Sequence, residues 1–378
     1  MNHPPDLLPE LFRPVTIGEI ACKNRVFMAP LTRCRALPEN DAPHELNVEY
    51  YRQRASAGLI ISEATQVLPQ GKGYVRTPGV YSAEQERGWR AITDAVHAEG
   101  GKILAQLWHV GAISHPDFQP DGALPVAASA QNPGGTTHTH LGKRERVTPR
   151  ALRTDEIPGI VAAFRHSAEL CKRAGFDGVE IHGANGYLLE NFTRDSTNHR
   201  TDAYGGSVAN RIRLTLEVVD AAVAVWGKGR VGIRLSPVSN SNNCTSDSNP
   251  QATYGALVKA LNDRQIAFIH FIEGKTGGER HLDGFDFQAA RRSFSGSYIG
   301  NNRYTGAMAA EAVRAGTVDA VAFGVPFISN PDLPARLKRG APLADANTKT
   351  YYGPGPIGYT DYPTLALEHD SISIEPSV

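Results

Sequence analysis

The run Gly178-Val-Glu-Ile-His-Gly-Ala-Asn-Gly-Tyr-Leu188 begins as an apolar strand and breaks at Gly183 and Gly186. Helical-period segments flank it, Thr154–Ala174 before and Ser207–Val225 after. A buried strand between two helices is the repeat of a parallel α/β fold. His182, Asn185 and Tyr187 gather where the strand ends. Two neutral hydrogen-bond donors there can hold a carbonyl oxygen, and a phenol nearby can deliver a proton. That chemistry suits reduction of an activated C=C bond. A plain strand-to-helix turn, with Asn and Gly at positive φ and Tyr in the core, would use the same residues.

The same alternation runs along the chain. Short apolar runs bounded by Gly, Pro or polar turns fall at Arg25–Ala29, Leu59–Ala64, Lys102–Leu107, Gly178–His182, Val231–Leu235, Phe268–Ile272, Tyr298–Gly300 and Ala320–Phe323. Helical periods fall at Glu45–Ala57, Glu84–Glu99, Thr154–Ala174, Ser207–Val225, Ala252–Asn262, Phe285–Arg292, Thr305–Ala315 and Pro331–Lys338. Eight such units predict a (β/α)8 TIM barrel spanning residues 1–378 as one domain. Gly111–Pro149 breaks the rhythm with Pro, Gly and the polar run Gly134–His140. It follows the third strand, so residues 111–149 are expected to cap the barrel mouth, with room for a hairpin. A second polar loop, Ser236–Pro250, follows the fifth strand on the same face.

Bulk properties narrow the class. Lys+Arg and Asp+Glu are both 39 among 378 residues, so no basic excess invites nucleic acid or a membrane surface. The first ten residues lack the basic and apolar parts of a signal peptide, and no apolar run is long enough to span a bilayer. Cys22, Cys34, Cys171 and Cys244 have no metal-site spacing and read as reduced thiols. A cytoplasmic setting is expected.

In such a barrel the active site lies at the C-terminal strand ends. Polar residues there are Thr32, Glu63, Thr65, Gln106, Trp108, His109, His182, Asn185 and Arg234. Arg234 is flanked by apolar residues and needs a polar or anionic partner. Glu180 is one candidate; a cofactor ring that gains negative charge is the other. Gln106 carries both donor and acceptor, which suits a ring edge presenting both. Gly300-Asn-Asn-Arg-Tyr-Thr305 and Phe323-Gly-Val-Pro-Phe327 follow the seventh and eighth strands. Loops at those positions are the usual phosphate seat of this barrel, which implies a phosphorylated ligand.

Other motifs carry less. Gly353-Pro-Gly-Pro-Ile-Gly358 matches G-x-G-x-x-G but follows no strand and opens no helix. His138 and His140 lack a third ligand, and no metal site is expected. Cys34 reads as an exposed structural thiol near the mouth.

Taken together, these residues resemble the Old Yellow Enzyme family of FMN-dependent ene-reductases, from Leu11-Phe-Arg-Pro14 to about Tyr362. The motifs are Pro30-Leu-Thr-Arg33, Glu63-Ala-Thr-Gln66, Gln106-Leu-Trp108, His182-Gly-Ala-Asn-Gly-Tyr187, Asn198-His-Arg-Thr-Asp202, Tyr204-Gly-Gly-Ser207, Arg234-Leu-Ser-Pro237, Asn330-Pro-Asp-Leu333 and Gly358-Tyr-Thr-Asp-Tyr-Pro363. With Thr32 after Pro30-Leu31, the chain resembles the classical branch of that family.

The resemblance implies FMN at the barrel mouth, reduced by NADPH or NADH, with ping-pong reduction of an enone-type small molecule. It implies that Pro30, Leu31, Thr32, Ala64, Gln106 and Arg234 contact the isoalloxazine or ribityl chain. Asn302, Arg303, Gly324 and Val325 would hold the phosphate. His182 and Asn185 would hold the substrate's carbonyl, Tyr187 would protonate its α-carbon, and Tyr74, Trp108 and Tyr352 would line the pocket. The chain departs from the family in one paired way. Arg303 stands where Gly is frequent, and Val325 where a basic residue is frequent. An exchange of the phosphate-binding cation between the two loops is therefore expected.

Two other classes stay open. One is a metal-dependent barrel hydrolase on Glu63, His182 and His109; the other is a flavin-binding scaffold without turnover. The oligomeric state is open too, a homo-oligomer included.

Overall fold

Strands that are apolar on both faces need cover on both sides, and the chain supplies it by following each strand with a helix. The computed structural model describes residues 7–365. The barrel strands are β1 Val26–Met28, β2 Ile60–Gln66, β3 Ile103–Trp108, β4 Gly178–Gly183, β5 Val231–Leu235, β6 Phe268–Ile272, β7 Ser297–Asn301 and β8 Ala320–Phe323. The helices that follow them are α1 Glu45–Gln53, α2 Ala83–Ala98, α3 Ile157–Arg173, α4 Arg213–Trp226, α5 Pro250–Asp263, α6 Phe287–Ser293, α7 Gly306–Arg314 and α8 Leu333–Arg339. All strands run parallel, each beside its neighbour in sequence, and β8 pairs with β1 to close the barrel. This is the (β/α)8 barrel that the sequence predicts.

Two helices differ from expectation. α1 stops at Gln53, short of Ala57, because Arg54 turns inward and donates to the carbonyls of Phe327 and Ile328. The Ser207–Val225 segment breaks at Ile212 into Val208–Arg211 and α4. An antiparallel hairpin, Val15–Ile17 with Ile20–Cys22, was not anticipated. Its Ile17 and Ile20 pack with the inward-facing Phe27, Leu104, Phe268 and Ile299. The hairpin thus plugs the N-terminal end of the barrel. Gly232 leaves room for that apolar layer, since a Cβ there would lie 2.2 Å from the Phe268 ring.

Toward the C-terminal end the interior turns polar. Gln106 lies opposite Glu180, His182 opposite Arg234, and Arg234 opposite His270. In β2 the register shifts between Ile61 and Ala64, setting Ala64 opposite Gln106. Such a bulge re-aims side chains locally. Here it lets Ser62 Oγ accept the Gln106 N–H at 3.1 Å.

Residues 111–149 contain an antiparallel hairpin, Thr136–Thr139 with Gly142–Glu145. The insertion meets the loop after β5. Asn243 Nδ2 donates to the Pro133 carbonyl at 2.7 Å, and Arg146 Nη2 donates to Asn242 Oδ1 at 3.4 Å.

Candidate active site

The loops after β1, β6, β7 and β8, together with the C-terminal segment, enclose a cavity of about 700 Å³. That is within the size range of small-molecule and cofactor pockets. Of the residues singled out from the sequence, Pro30, Leu31, Thr32, Asn185, Arg234, Asn302, Arg303, Gly324, Val325 and Tyr352 line it. Ala64 and Gln106 are buried in the strands beneath the mouth. Tyr74, Trp108, His182 and Tyr187 form an aromatic cluster adjoining Asn185.

Arg234 is 7% exposed, and burial pushes its guanidinium down to about 10. Its Nη2 donates to Asn301 Oδ1 at 2.8 Å, while its buried Nε has no partner among the described residues. The Glu180 pairing weighed from the sequence does not form. One Glu180 oxygen accepts from Gln106 Nε2 at 2.7 Å, and the other accepts from His270 Nδ1 at 2.8 Å. With Gln106 Nε2 engaged this way, its carbonyl oxygen remains as an acceptor. A guanidinium with one unpaired N–H and an amide carbonyl, both at the polar end of the barrel, fit a ring whose edge presents acceptors and donors together. The residues present therefore suit a flavin.

The His182 side chain is almost wholly buried. Burial first, and then the Arg234 cation, hold its pKa well below the usual imidazole value, so the ring is neutral. Nδ1 accepts the Ala184 N–H at 3.3 Å, which puts the single ring proton on Nε2. Asn185 sits at φ 60, a left-handed conformation that Asn tolerates. This conformation, with Gly186 at φ 75, folds the chain back so that Tyr187 comes beside His182, ring centroids 5.1 Å apart. Burial raises the Tyr187 pKa, and the Tyr74 hydroxyl 3.0 Å away partly offsets that rise. Trp108 backs the group, with its ring 4.9 Å from Tyr187 and 6.3 Å from His182.

One sequence expectation needs correction, and several other side chains have partners within the protein. Cys34 is not exposed: it is 4% accessible, and burial pushes its thiol up to about 12. The Asn302 side chain does not point freely toward a ligand. Its Nδ2 donates to the carbonyls of Glu273 and Lys275, and its Oδ1 accepts from Gly277 N–H. His109 is buried and pushed down to about 3, with Nδ1 accepting from Gly111 N–H. Glu63, pushed up to about 7 by burial, accepts from Arg33 N–H and Tyr51 O–H. Among the described residues no three His, Cys, Asp or Glu side chains converge as metal ligands.

Other residues at the site escaped the sequence reading. Asn301 and His270 lie on inward positions of β7 and β6, where strand parity alone would have found them. Arg33 and Arg35, both buried, donate to the carbonyls of Thr350, Tyr351, Gly355, Ile357 and Gly358. They strap down the segment that brings Tyr352 to the cavity. Arg33 closes the motif Pro30-Leu-Thr-Arg33, but nothing in the local sequence of either arginine points to carbonyls near the C-terminus. Thr276, from the loop after β6, also lines the cavity.

Comparison with known proteins agrees with this site. A family model described as NADH:flavin oxidoreductase / NADH oxidase family matches residues 10–344. The rice (Oryza sativa subsp. japonica) 12-oxophytodienoate reductase 1 is 42% identical over 365 residues, covering 94% of this chain and 93% of that protein. The solved structure of morphinone reductase in complex with tetrahydroNAD superposes with a TM-score of 0.90 at 46% identity, covering 97% of this chain and 99% of that one. The old yellow enzyme homologue from Zymomonas mobilis also gives a TM-score of 0.90, at 44% identity, covering 94% of this chain and 99% of that one. With matches of this depth over nearly its whole length, the chain belongs to the NADH:flavin oxidoreductase / NADH oxidase family of FMN-dependent enzymes.

Proposed function

We propose that the chain reduces the C=C bond of an enone-type small molecule in a ping-pong cycle, with NADPH or NADH as reductant. The observation that carries this reading is the neutral His182 Nε2–H beside the Tyr187 phenol, with Asn185 of the same turn lining a cofactor-sized cavity. The names of the relatives, 12-oxophytodienoate reductase and morphinone reductase, describe reductases of oxo compounds, and tetrahydroNAD in one complex supports a nicotinamide donor.

When bound, FMN supplies the hydride that passes from the nicotinamide to the alkene. Pro30, Leu31, Thr32, Ala64, Gln106 and Arg234 hold its ring and ribityl chain. Asn302, Arg303, Gly324 and Val325 would hold its phosphate; the Asn302 side chain is engaged with the loop after β6, which leaves its backbone N–H for that role. His182 and Asn185 hold the carbonyl oxygen of the substrate and stabilise the charge that develops there. Neutral donors suit this task, because their hydrogen bonds strengthen as the oxygen becomes anionic. Tyr187 protonates the α-carbon; the Tyr74 hydroxyl, 3.0 Å away, can donate to the Tyr187 oxygen and so leave the Tyr187 proton for the substrate. Trp108, Tyr74 and Tyr352 shape the pocket. The chain works as one domain, with residues 111–149 capping the mouth. Among the described residues no helix is long and apolar enough to cross a membrane.

Tyr187→Phe is expected to leave flavin reduction by NADPH intact and to slow enone reduction by roughly 10²-fold, the usual scale of a lost general acid. Stopped-flow measurement of the two half-reactions checks this; equal slowing of both would remove Tyr187 from the role.

The pH dependence has a definite sign. His182 has its pKa below the ordinary 6.5, so the neutral ring persists as pH falls through that value. Tyr187 has its pKa above 10.0, so the protonated acid persists until pH exceeds that value. The rate of enone reduction by pre-reduced enzyme is therefore expected to be flat between these limits; a fall centred on 6.5 would contradict it.

Arg303 is exposed at the cavity beside Val325, where it can supply the missing cation. Arg303→Ala is expected to weaken FMN retention by about tenfold, the scale of one charged hydrogen bond. Fluorescence of released FMN on dilution measures this, and unchanged retention would leave the phosphate to backbone groups alone.

A further inference from the structure

Asn185 helps a substrate only if its carboxamide presents Nδ2 to the cavity. Turned by half a rotation, it would offer Oδ1 to a carbonyl oxygen and repel it. Its backbone does not set that choice. The Asn185 N–H donates to Ser236 Oγ at 2.9 Å, and its carbonyl accepts from Asn242 Nδ2 at 3.0 Å, so the turn is pinned while the side chain can still rotate. A hydroxyl from a different loop meets the amide. Thr276 Oγ1 donates to Asn185 Oδ1 at 2.7 Å, and Thr276 lines the same cavity.

We propose that Thr276 is a positioning residue that sets the polarity of the Asn185 carboxamide, holding Oδ1 so that Nδ2 faces the substrate's carbonyl. This rests on the enone reading above. The hydroxyl is itself held in place. Thr276 N–H donates to Ser239 Oγ at 3.0 Å, the Ser239 and Thr276 hydroxyls are 2.8 Å apart, and Ser241 Oγ is 3.0 Å from Ser239 Oγ. The protons order in one direction: Ser241 to Ser239, Ser239 to Thr276, Thr276 to the Asn185 oxygen. Each hydroxyl between the ends accepts and donates, and the chain ends on an acceptor.

The loop bearing Thr276 is tied in turn to the proposed phosphate seat. Asn302 Nδ2 donates to the Glu273 and Lys275 carbonyls at 2.7 and 2.8 Å, and Gly277 N–H donates to Asn302 Oδ1 at 3.1 Å. One loop thus joins the group that clamps the carbonyl to the residues beside the cofactor's anionic end.

The test uses holoenzyme carrying Thr276→Val, which keeps the shape and removes the hydroxyl, and Thr276→Ser, which restores it. The readouts are FMN content, the dissociation constant of 2-cyclohexenone from its perturbation of the flavin spectrum, and reoxidation of dithionite-reduced enzyme by the same enone. Thr276→Val is expected to weaken enone binding about tenfold with FMN content unchanged, and Thr276→Ser to stay within about twofold of the parent, the scale of one hydrogen bond. Undiminished enone binding in Thr276→Val, or a Ser variant as impaired as the Val variant, would overturn the inference while the parent enzyme still reduces the enone. A parent holoenzyme that does not reduce 2-cyclohexenone would overturn the functional reading, and this inference with it.

Discussion

A buried guanidinium must find acceptors, and Arg234 finds one. It donates to Asn301, and its Nε donates to nothing among the described residues. An unpaired buried charge costs several kcal/mol, which is why most proteins avoid it. Here the barrel's own acid is committed elsewhere, since Glu180 is shared between Gln106 and His270. The cation is therefore held for something that arrives from outside. An electron-rich ring that takes up negative charge on reduction satisfies it best.

The same burial explains the rest of the site. It keeps His182 neutral and the Tyr187 phenol protonated, so the two groups act as donors. It also makes each hydrogen bond count, because an acceptor in this setting has no competing solvent. The barrel arranges this by axial sorting. Apolar side chains and the N-terminal hairpin fill one end, and polar side chains occupy the other. Chemistry is confined to the end where the loops can close over it.

Much of this was legible in the sequence because strand parity is rigid. Once Gly178–His182 is read as a strand, Glu180 and His182 must share a face, and the polar ends of the other strands line up with them. The closed barrel and the cluster of His182, Asn185 and Tyr187 followed from such local patterns. What was not legible depends on contacts distant in sequence. The Arg33 and Arg35 strap joins residues more than 300 positions apart, and no local pattern marks it. Cys34, expected to be exposed from its place near the mouth, is buried between the two strap arginines of the sequence. The Asn302 side chain also knits the loop after β6, through carbonyls 29 and 27 positions away that no local pattern marks.

The most direct test of the account is the visible spectrum of purified protein followed anaerobically through one cycle. The account requires a flavin band that NADPH or NADH bleaches and that 2-cyclohexenone then restores in stoichiometric amount. Protein that takes up no flavin on reconstitution, or a bleached flavin that the enone leaves bleached, would contradict it.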